Sequence, residues 1–128
     1  MKLTKSEWEI MEVLWDAQKP LSRTGILEHS KDRSWKESSI HILLNSMLKK
    51  GAIEVAGFEK MGSHYGRTYV AVLDVPEFVA YQVQTMVEGR GNWEDTVKAT
   101  FNALLKKGGL SAETIGEIEQ MLKEAKKQ

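Results

Sequence analysis

Polar side chains recur every three to four residues after Trp35, where they could read a nucleic acid. Ser38, His41 and Asn45 would share one face of a helix, since residues three and four apart are neighbours on a helical surface. Asn can contact adenine through two hydrogen bonds in the major groove, and Ser or His can reach a base edge or a phosphate. We therefore predict a base-reading face made of Ser38, Ser39, His41, Ile42, Asn45 and Lys49.

A second group of side chains could bind phosphates. The segment from Ala17 to Leu73 carries nine basic and five acidic side chains, although the whole chain has 18 of each and no net charge. Cations on a glycine-containing loop suit the sugar–phosphate backbone, which supplies most non-specific affinity for DNA. The predicted backbone contacts are Arg23, Lys36, Lys60, His64 and Arg67.

Other chemistry has little support in the sequence. Cysteine is absent, which excludes disulfides, thiolate nucleophiles and zinc ribbons. His29, His41 and His64 lie in three separate segments, so no metal site is predicted. There is no HExxH motif and no glycine-rich phosphate loop before a helix. We therefore expect neither an enzyme nor a cofactor.

Two helices are predicted before the base-reading segment. Thr4 to Glu7 has the spacing of a capping box, and apolar residues from Trp8 to Ala17 recur at helical spacing until Pro20. A short second helix is predicted from about Arg23 to His29, capped by Ser22. Acidic residues interrupt the apolar start of the chain, so neither a signal peptide nor a membrane span is predicted, and we expect a cytoplasmic protein.

The third helix has the clearest pattern. Ser34 to Glu37 offers a second possible capping box, although Lys36 could equally be the residue outside the helix. Gly51 is placed to end the helix in the left-handed conformation. Its predicted buried stripe, at positions i, i+3, i+4, i+7 and i+8, is Ile40, Leu43, Leu44, Met47 and Leu48.

Two β-rich runs follow the third helix. Residues 52–56 and 67–72 flank a segment containing Gly57, Gly62, Ser63 and Gly66, which predicts a hairpin with a long, flexible tip. Three helices and a hairpin in this order are typical of the winged helix-turn-helix, in which the third helix enters the major groove. The predicted fold class is mainly α with a small β-hairpin.

Three more helices are predicted after Asp74, with Pro76 in the first, Asn92 capping the second and Ser111 capping the third. We divide the chain into a DNA-binding domain, 1–74, and a helical dimerisation domain, 75–128. The alternative is an intramolecular cap on the first domain. The three helices carry more apolar surface than they can bury among themselves, and a second copy of the chain would cover it. The predicted dimer interface is Phe78, Val83, Trp93, Val97, Phe101, Leu104, Ile115, Ile118 and Leu122.

The chain resembles the penicillinase repressor family, the BlaI/MecI type with a copper-responsive CopY branch. The resemblance covers nearly the whole chain, and the matching segments are residues 7–15, Trp35, residues 39–40, 43–44, 48–53 and 66–70, and the tail from Leu110. It implies a homodimer that represses transcription from a palindromic operator in double-stranded DNA.

The resemblance is incomplete at the positions that set induction and operator choice. The Asn-Phe bond cleaved in the β-lactam branch corresponds to Ala103-Leu104, and Phe101-Asn102 has the wrong order. The copper branch senses metal through cysteines, which this chain lacks. The family commonly has Thr where this chain has Ile42, and Arg where it has Ser46. We therefore expect a different inducing signal and a different operator.

Two other readings of the same sequence stay open. Winged helices also occur in protein-interaction modules, since a fold does not define a function. A regulator responsive to a small effector could use Phe78, Tyr81 and Trp93 as an aromatic pocket, and an inducing protease is a further possible partner.

Overall fold

The computed structural model describes all residues from Met1 to Gln128. It divides into two compact units, Met1–Met86 and Val87–Gln128. The predicted boundary after residue 74 divides the chain by role, DNA binding before it and dimerisation after it, and this division stays a prediction. The compact units divide later in the chain because the helix that follows residue 74 packs on the first helix.

The elements occur in the predicted order of three helices, a hairpin and three helices. A two-residue strand (β1, Leu21–Ser22), which the sequence pattern did not indicate, joins the two hairpin strands (β2, Ile53–Met61, and β3, His64–Ala71). Together they make a three-stranded antiparallel sheet in the order β1-β3-β2. A 3-10 turn at Glu37–Ser39 precedes the third helix. The bounds are α1 Lys5–Ala17, β1 Leu21–Ser22, α2 Arg23–His29, α3 Ile40–Lys50, β2 Ile53–Met61, β3 His64–Ala71, α4 Val75–Val87, α5 Trp93–Lys107 and α6 Ala112–Lys126.

Local signals define most of the helix ends. The Thr4 hydroxyl accepts from the Glu7 amide at 3.2 Å while the Glu7 carboxylate accepts from the Thr4 amide at 2.9 Å, which confirms the predicted capping box. Gly51 ends α3 at φ +77°, a conformation that costs glycine little. The predicted caps of α2, α5 and α6 are also present, at Ser22, Asn92 and Ser111.

The second predicted capping box is wrong. The backbone amide of Ser34 donates to Glu9 Oε1 at 2.9 Å and its hydroxyl donates to the other carboxylate oxygen of Glu9. The alternative is confirmed: Lys36 lies outside the helical segment, as the residue before the 3-10 turn, and its side chain makes no capping bond. The Ser34 side chain, which the local pattern assigned to a helix cap, therefore bonds to α1 instead.

The hairpin is longer and its tip tighter than predicted. Met61 pairs with His64, so only Gly62 and Ser63 form the turn. Gly62 lies at φ +65°, as expected for the first position of a two-residue hairpin turn. Gly57 and Gly66 lie within the strands, and a bulge between Val55 and Gly57 leaves one residue of β2 unpaired. Two of the three glycines predicted to make the tip flexible, Gly57 and Gly66, are therefore paired within the strands.

The first unit has a continuous apolar core between the sheet and the helices. Three of the five predicted stripe residues of α3, Ile40, Leu44 and Met47, are buried in this core. The other two, Leu43 and Leu48, are half-buried and pack against it. The buried members are Ile10, Met11, Leu14, Leu21, Ile26, Trp35, Ile40, Leu44, Met47, Ala52 and Ile53.

The beginning of α4 packs on α1 through an aromatic cluster. Phe78 is fully buried, with ring centroids 5.0 Å from Trp8 and 5.5 Å from Trp15. The Trp15 indole N–H donates to the carbonyl of Leu73 at 2.9 Å, just before α4. The expectation that Phe78 faces a second copy is corrected, since the aromatic surface of α1 already covers its side chain.

The second unit contains α5 and α6, and neither helix has a buried residue. The apolar positions of α5 follow a helical spacing along one face, yet Trp93, Val97, Phe101 and Leu104 are all exposed. On α6, Ile115 and Leu122 are exposed and Ile118 is half-buried. The second unit therefore has apolar stripes but no core of its own.

Candidate nucleic-acid interface

The outer face of α3 and the 3-10 turn before it carry the predicted base-reading residues. Ile40, Leu44 and Met47 are buried and hold the opposite face of the helix against the core. Because those contacts orient the helix, its polar side chains lie on the surface. The exposed members of the predicted set are Ser38, His41, Ile42, Asn45 and Lys49, and Ser39 is half-buried.

A hydrogen bond connects α2 to this face. Nη1 of Arg23, the first residue of α2, lies 2.6 Å from Nε2 of His41. A guanidinium has no acceptor atom, so Arg23 is the donor in this contact. The bond holds one predicted backbone contact and one predicted base contact against each other at the start of α3.

The outer face of α3 and the hairpin border a shared open cleft of about 580 Å³. No acidic side chain is among the residues that line it. Two guanidinium groups, two imidazoles and an amide are present, which are all groups that donate hydrogen bonds to phosphates or base edges. The structure thereby brings together five predicted site residues: Arg23, His41, Asn45, His64 and Arg67.

Six predicted residues do not line the cleft. Lys36, Ser38 and Ser39 lie before α3, Ile42 and Lys49 lie elsewhere on its surface, and Lys60 is near the end of β2. Ser39 is half-buried and the other five are exposed.

The sequence pattern did not predict a buried ion pair between α1 and α3. Glu7 is 1% exposed, and its carboxylate accepts from Lys50 Nζ at 2.5 Å and from the Ser46 hydroxyl at 2.7 Å. The capping-box pattern identified Glu7 only as a local partner of Thr4. Its contacts with α3 span 39 and 43 residues, and no short-range signal exists for them.

The Glu7 carboxyl is strongly acidic in this setting. Burial alone would raise its pKa, but hydrogen bonds from Lys50, the Thr4 backbone and Ser46 outweigh burial and lower the pKa from 4.5 to about 2. The group is therefore charged at neutral pH. It links the N-terminal turn of α1 to the last turns of the helix that carries the candidate interface.

Three further observations concern metal binding, the membrane and the predicted dimer interface. No group of three or more His, Cys, Asp or Glu side chains is arranged to hold a metal ion. None of the helices combines the length and the apolar character that crossing a bilayer requires. In α4, Val83 of the predicted dimer set is half-buried.

The architecture is that of a winged helix-turn-helix: α2 and α3 form the helical pair, and β2–β3 is the wing beside an exposed polar helix. The family model for the penicillinase repressor matches residues 3–124. The chain belongs to the penicillinase repressor family, a family of transcriptional regulators, and this membership supports a role as a transcriptional repressor.

Two relatives match along most of their own length. The penicillinase repressor of Bacillus licheniformis is 26% identical over 127 residues, which is 98% of this chain and 92% of that protein. An uncharacterised 16.5 kDa protein from Latilactobacillus sakei, from the region 3′ of ptsI, is 28% identical over 121 residues, 94% of this chain and 78% of that protein.

Two solved structures show a remote similarity to the chain. The adhesin competence repressor of Streptococcus pyogenes matches with a TM-score of 0.43 and 14% identity, covering 98% of this chain and 80% of that chain. The iron-containing ferric uptake regulator of Francisella tularensis matches with a TM-score of 0.42 and 16% identity, covering 69% of this chain and 80% of that chain.

Proposed function

We propose that this protein is a dimeric repressor that binds a two-fold symmetric operator, with α3 in the major groove and the wing on the adjacent DNA. The observation that carries the proposal is the acid-free cleft bordered by α3 and the wing, with Arg23, Arg67 and Asn45 in its lining. Such a surface combines phosphate-binding cations with a side chain that can read adenine. The proposed ligand is double-stranded DNA, and on that basis we also propose a cytoplasmic location.

The uncovered stripes of the second unit support the dimer. Phe101 and Leu104 lie on one face of α5 and are exposed, as is Leu122 of α6. A second copy that covers these faces would remove large apolar surface from water, which is the main driving force of association. A two-fold dimer also matches the symmetry of a palindromic operator.

The proposal includes a different operator and a different inducing signal from those of the familiar family members. Ile42 is exposed on α3 where Thr is common, and an apolar side chain there favours contact with a thymine methyl. Ala103-Leu104 occupies the position of the cleaved Asn-Phe bond. Binding to the familiar β-lactamase dyad with the usual affinity would contradict the proposed operator difference.

Selection of bound sequences from random duplex DNA tests the function. We expect a dyad whose half-sites are separated by about one helical turn, roughly 10 base pairs, or a multiple of it. The Asn45→Ala variant should lose preference at one position in each half-site, by about 1–3 kcal/mol. Recovery of no sequence, together with no binding to duplex DNA at low salt, would refute the proposal.

Salt titration separates phosphate contacts from base contacts. Arg67→Ala should weaken binding to all sequences alike and reduce the slope of log affinity against log salt by about one. Lys31→Ala is the matched control, since Lys31 is an exposed cation outside the cleft lining. Equal effects of the two variants would mean that general charge, and not the cleft, binds the DNA.

A charge on the apolar stripe tests the dimer. Phe101→Asp should give a monomer in sedimentation equilibrium and weaken binding to the full dyad more than binding to one half-site. Ala99→Asp is the control, because Ala99 is exposed and lies on the opposite side of α5. A Phe101→Asp protein that stays dimeric would exclude this stripe as the interface.

A further inference from the structure

The three most exposed large apolar side chains of the chain all belong to α3 and the wing. Ile42 is 72% exposed, Tyr65 71% and Phe58 70%. Covering side chains of this size removes apolar surface from water, which is favourable, so α3 and the wing retain unused apolar contact area. Phe58 was not among the residues that the sequence pattern singled out.

The strand register places the aromatic and basic side chains of the wing on one face. Phe58 pairs with Arg67 and Lys60 pairs with Tyr65, and directly paired residues point to the same side of an antiparallel sheet. Each cross-strand pair therefore combines one aromatic ring with one cation. We call these four residues the aromatic–cation face of the wing.

The acidic side chains of β2 lie on the other face. Glu54 pairs with Val70 and Glu59 pairs with Gly66, at positions that alternate with those of the aromatic–cation face. The wing therefore separates its charges: cations and rings on one side, and carboxylates on the other.

The aromatic–cation face is continuous with the core side of the sheet and with the cleft. Ile53 and Ala71 share this face at the base of the hairpin, where Ile53 is buried in the core. Tyr65 and Arg67 line the cleft that the outer face of α3 also borders. The cations of the wing and the polar side chains of α3 can therefore meet the same duplex.

We propose that Phe58 and Tyr65 pack on the deoxyribose walls of the minor groove beside the α3 site, while Lys60 and Arg67 neutralise the phosphates on either side. This inference rests on the proposed function. The minor groove is about 6 Å wide, too narrow for a two-stranded ribbon, so side chains of the wing make the contact. The absence of carboxylates from this face matches the polyanionic surface of DNA.

The test measures duplex affinity at several salt concentrations, using the sequence selected by the wild-type protein. Phe58→Thr puts another residue with a high preference for strands at this position but removes the ring. It should lower affinity about tenfold at every salt concentration, with the salt slope unchanged, because an apolar contact releases no counterions. Arg67→Ala should reduce that slope by about one.

Matched variants isolate the rings. Phe58→Leu should retain part of the affinity, and Tyr65→Phe should retain all of it because the ring, and not the hydroxyl, makes the contact. Tyr65→Thr should behave like Phe58→Thr. Val72→Ala removes exposed apolar surface just outside β3 and should change nothing.

The outcomes separate the two proposals. If the wild-type protein binds no duplex, the proposed function itself fails. If the wild-type protein binds and both threonine variants match it within twofold, the aromatic contact is refuted and the exposed rings serve another partner. A reduced salt slope in Phe58→Thr would also refute it, since the variant would then have displaced the neighbouring cations. Thermal unfolding of each variant checks that the wing remains folded.

Discussion

The two compact units differ in how they treat apolar residues. The first encloses Ile10, Met11, Ile26 and Met47 completely, whereas α5 and α6 of the second enclose none of their apolar side chains. Both units have helices with good caps and clear apolar faces. The difference shows that amphipathic helices do not make a core by themselves. In the first unit a sheet covers the apolar faces of the helices, whereas the second unit has no sheet to cover those of α5 and α6.

The largest contrast is expected from one change made in each unit. Met47→Ala should lower the free energy of unfolding by about 2–5 kcal/mol, since it leaves a cavity in a closed core. Met121→Ala, at a site on α6 that is 64% exposed, should change it much less. Urea denaturation of both variants measures the difference. Equal losses would mean that Met121 is as enclosed in solution as Met47.

Removing the buried charge of the first unit should have the next largest effect. Gln is a neutral isostere of the Glu7 side chain, so Glu7→Gln should cost roughly 3 kcal/mol at neutral pH, which corresponds to the pKa decrease from 4.5 to about 2. Glu124→Gln, in an exposed ion pair of α6, should change stability little. Comparable losses in unfolding experiments would contradict a special role for the buried pair.

The same ion pair should make stability depend on pH. Because the folded-state pKa of Glu7 is lowered, its contribution is present above about pH 4.5 and declines as the pH falls toward 2. Stability of the wild-type protein and of Glu7→Gln should therefore converge across this window. Urea denaturation at a series of pH values provides the comparison, and a constant difference between the two curves would exclude Glu7 as the titrating group.

The smallest expected effects have opposite signs at two glycines. Gly51→Ala should destabilise α3 by about 1 kcal/mol, because φ at this position is +77°. Gly116→Ala should stabilise α6 by about 0.5–1 kcal/mol, since Gly116 lies within the helix with open space where the methyl would go. Thermal unfolding followed by circular dichroism measures both shifts, and a destabilising Gly116→Ala would show that this position is covered in solution.

Most of the fold was predictable because its signals are local. The capping bonds at Thr4, Ser22, Asn92 and Ser111 span three residues each, and the stripe of α3 repeats within two turns. Such signals predicted the element order and which face of α3 is exposed. The roles of the exposed side chains at the candidate interface stay predictions, because exposure does not identify a ligand.

Sequence alone determined most of the helix ends, with the start of α3 as the exception, and the apolar faces, since hydrogen bonding and periodicity act between near neighbours. Only the tertiary structure decided the pairings across long separations: Glu7 with Lys50, Arg23 with His41, and Phe78 with the tryptophans of α1. It also decided the register that gathers Phe58, Lys60, Tyr65 and Arg67 on one face of the wing. The physical reason is that these contacts depend on how helices and strands pack, and no spacing within a single element encodes that packing.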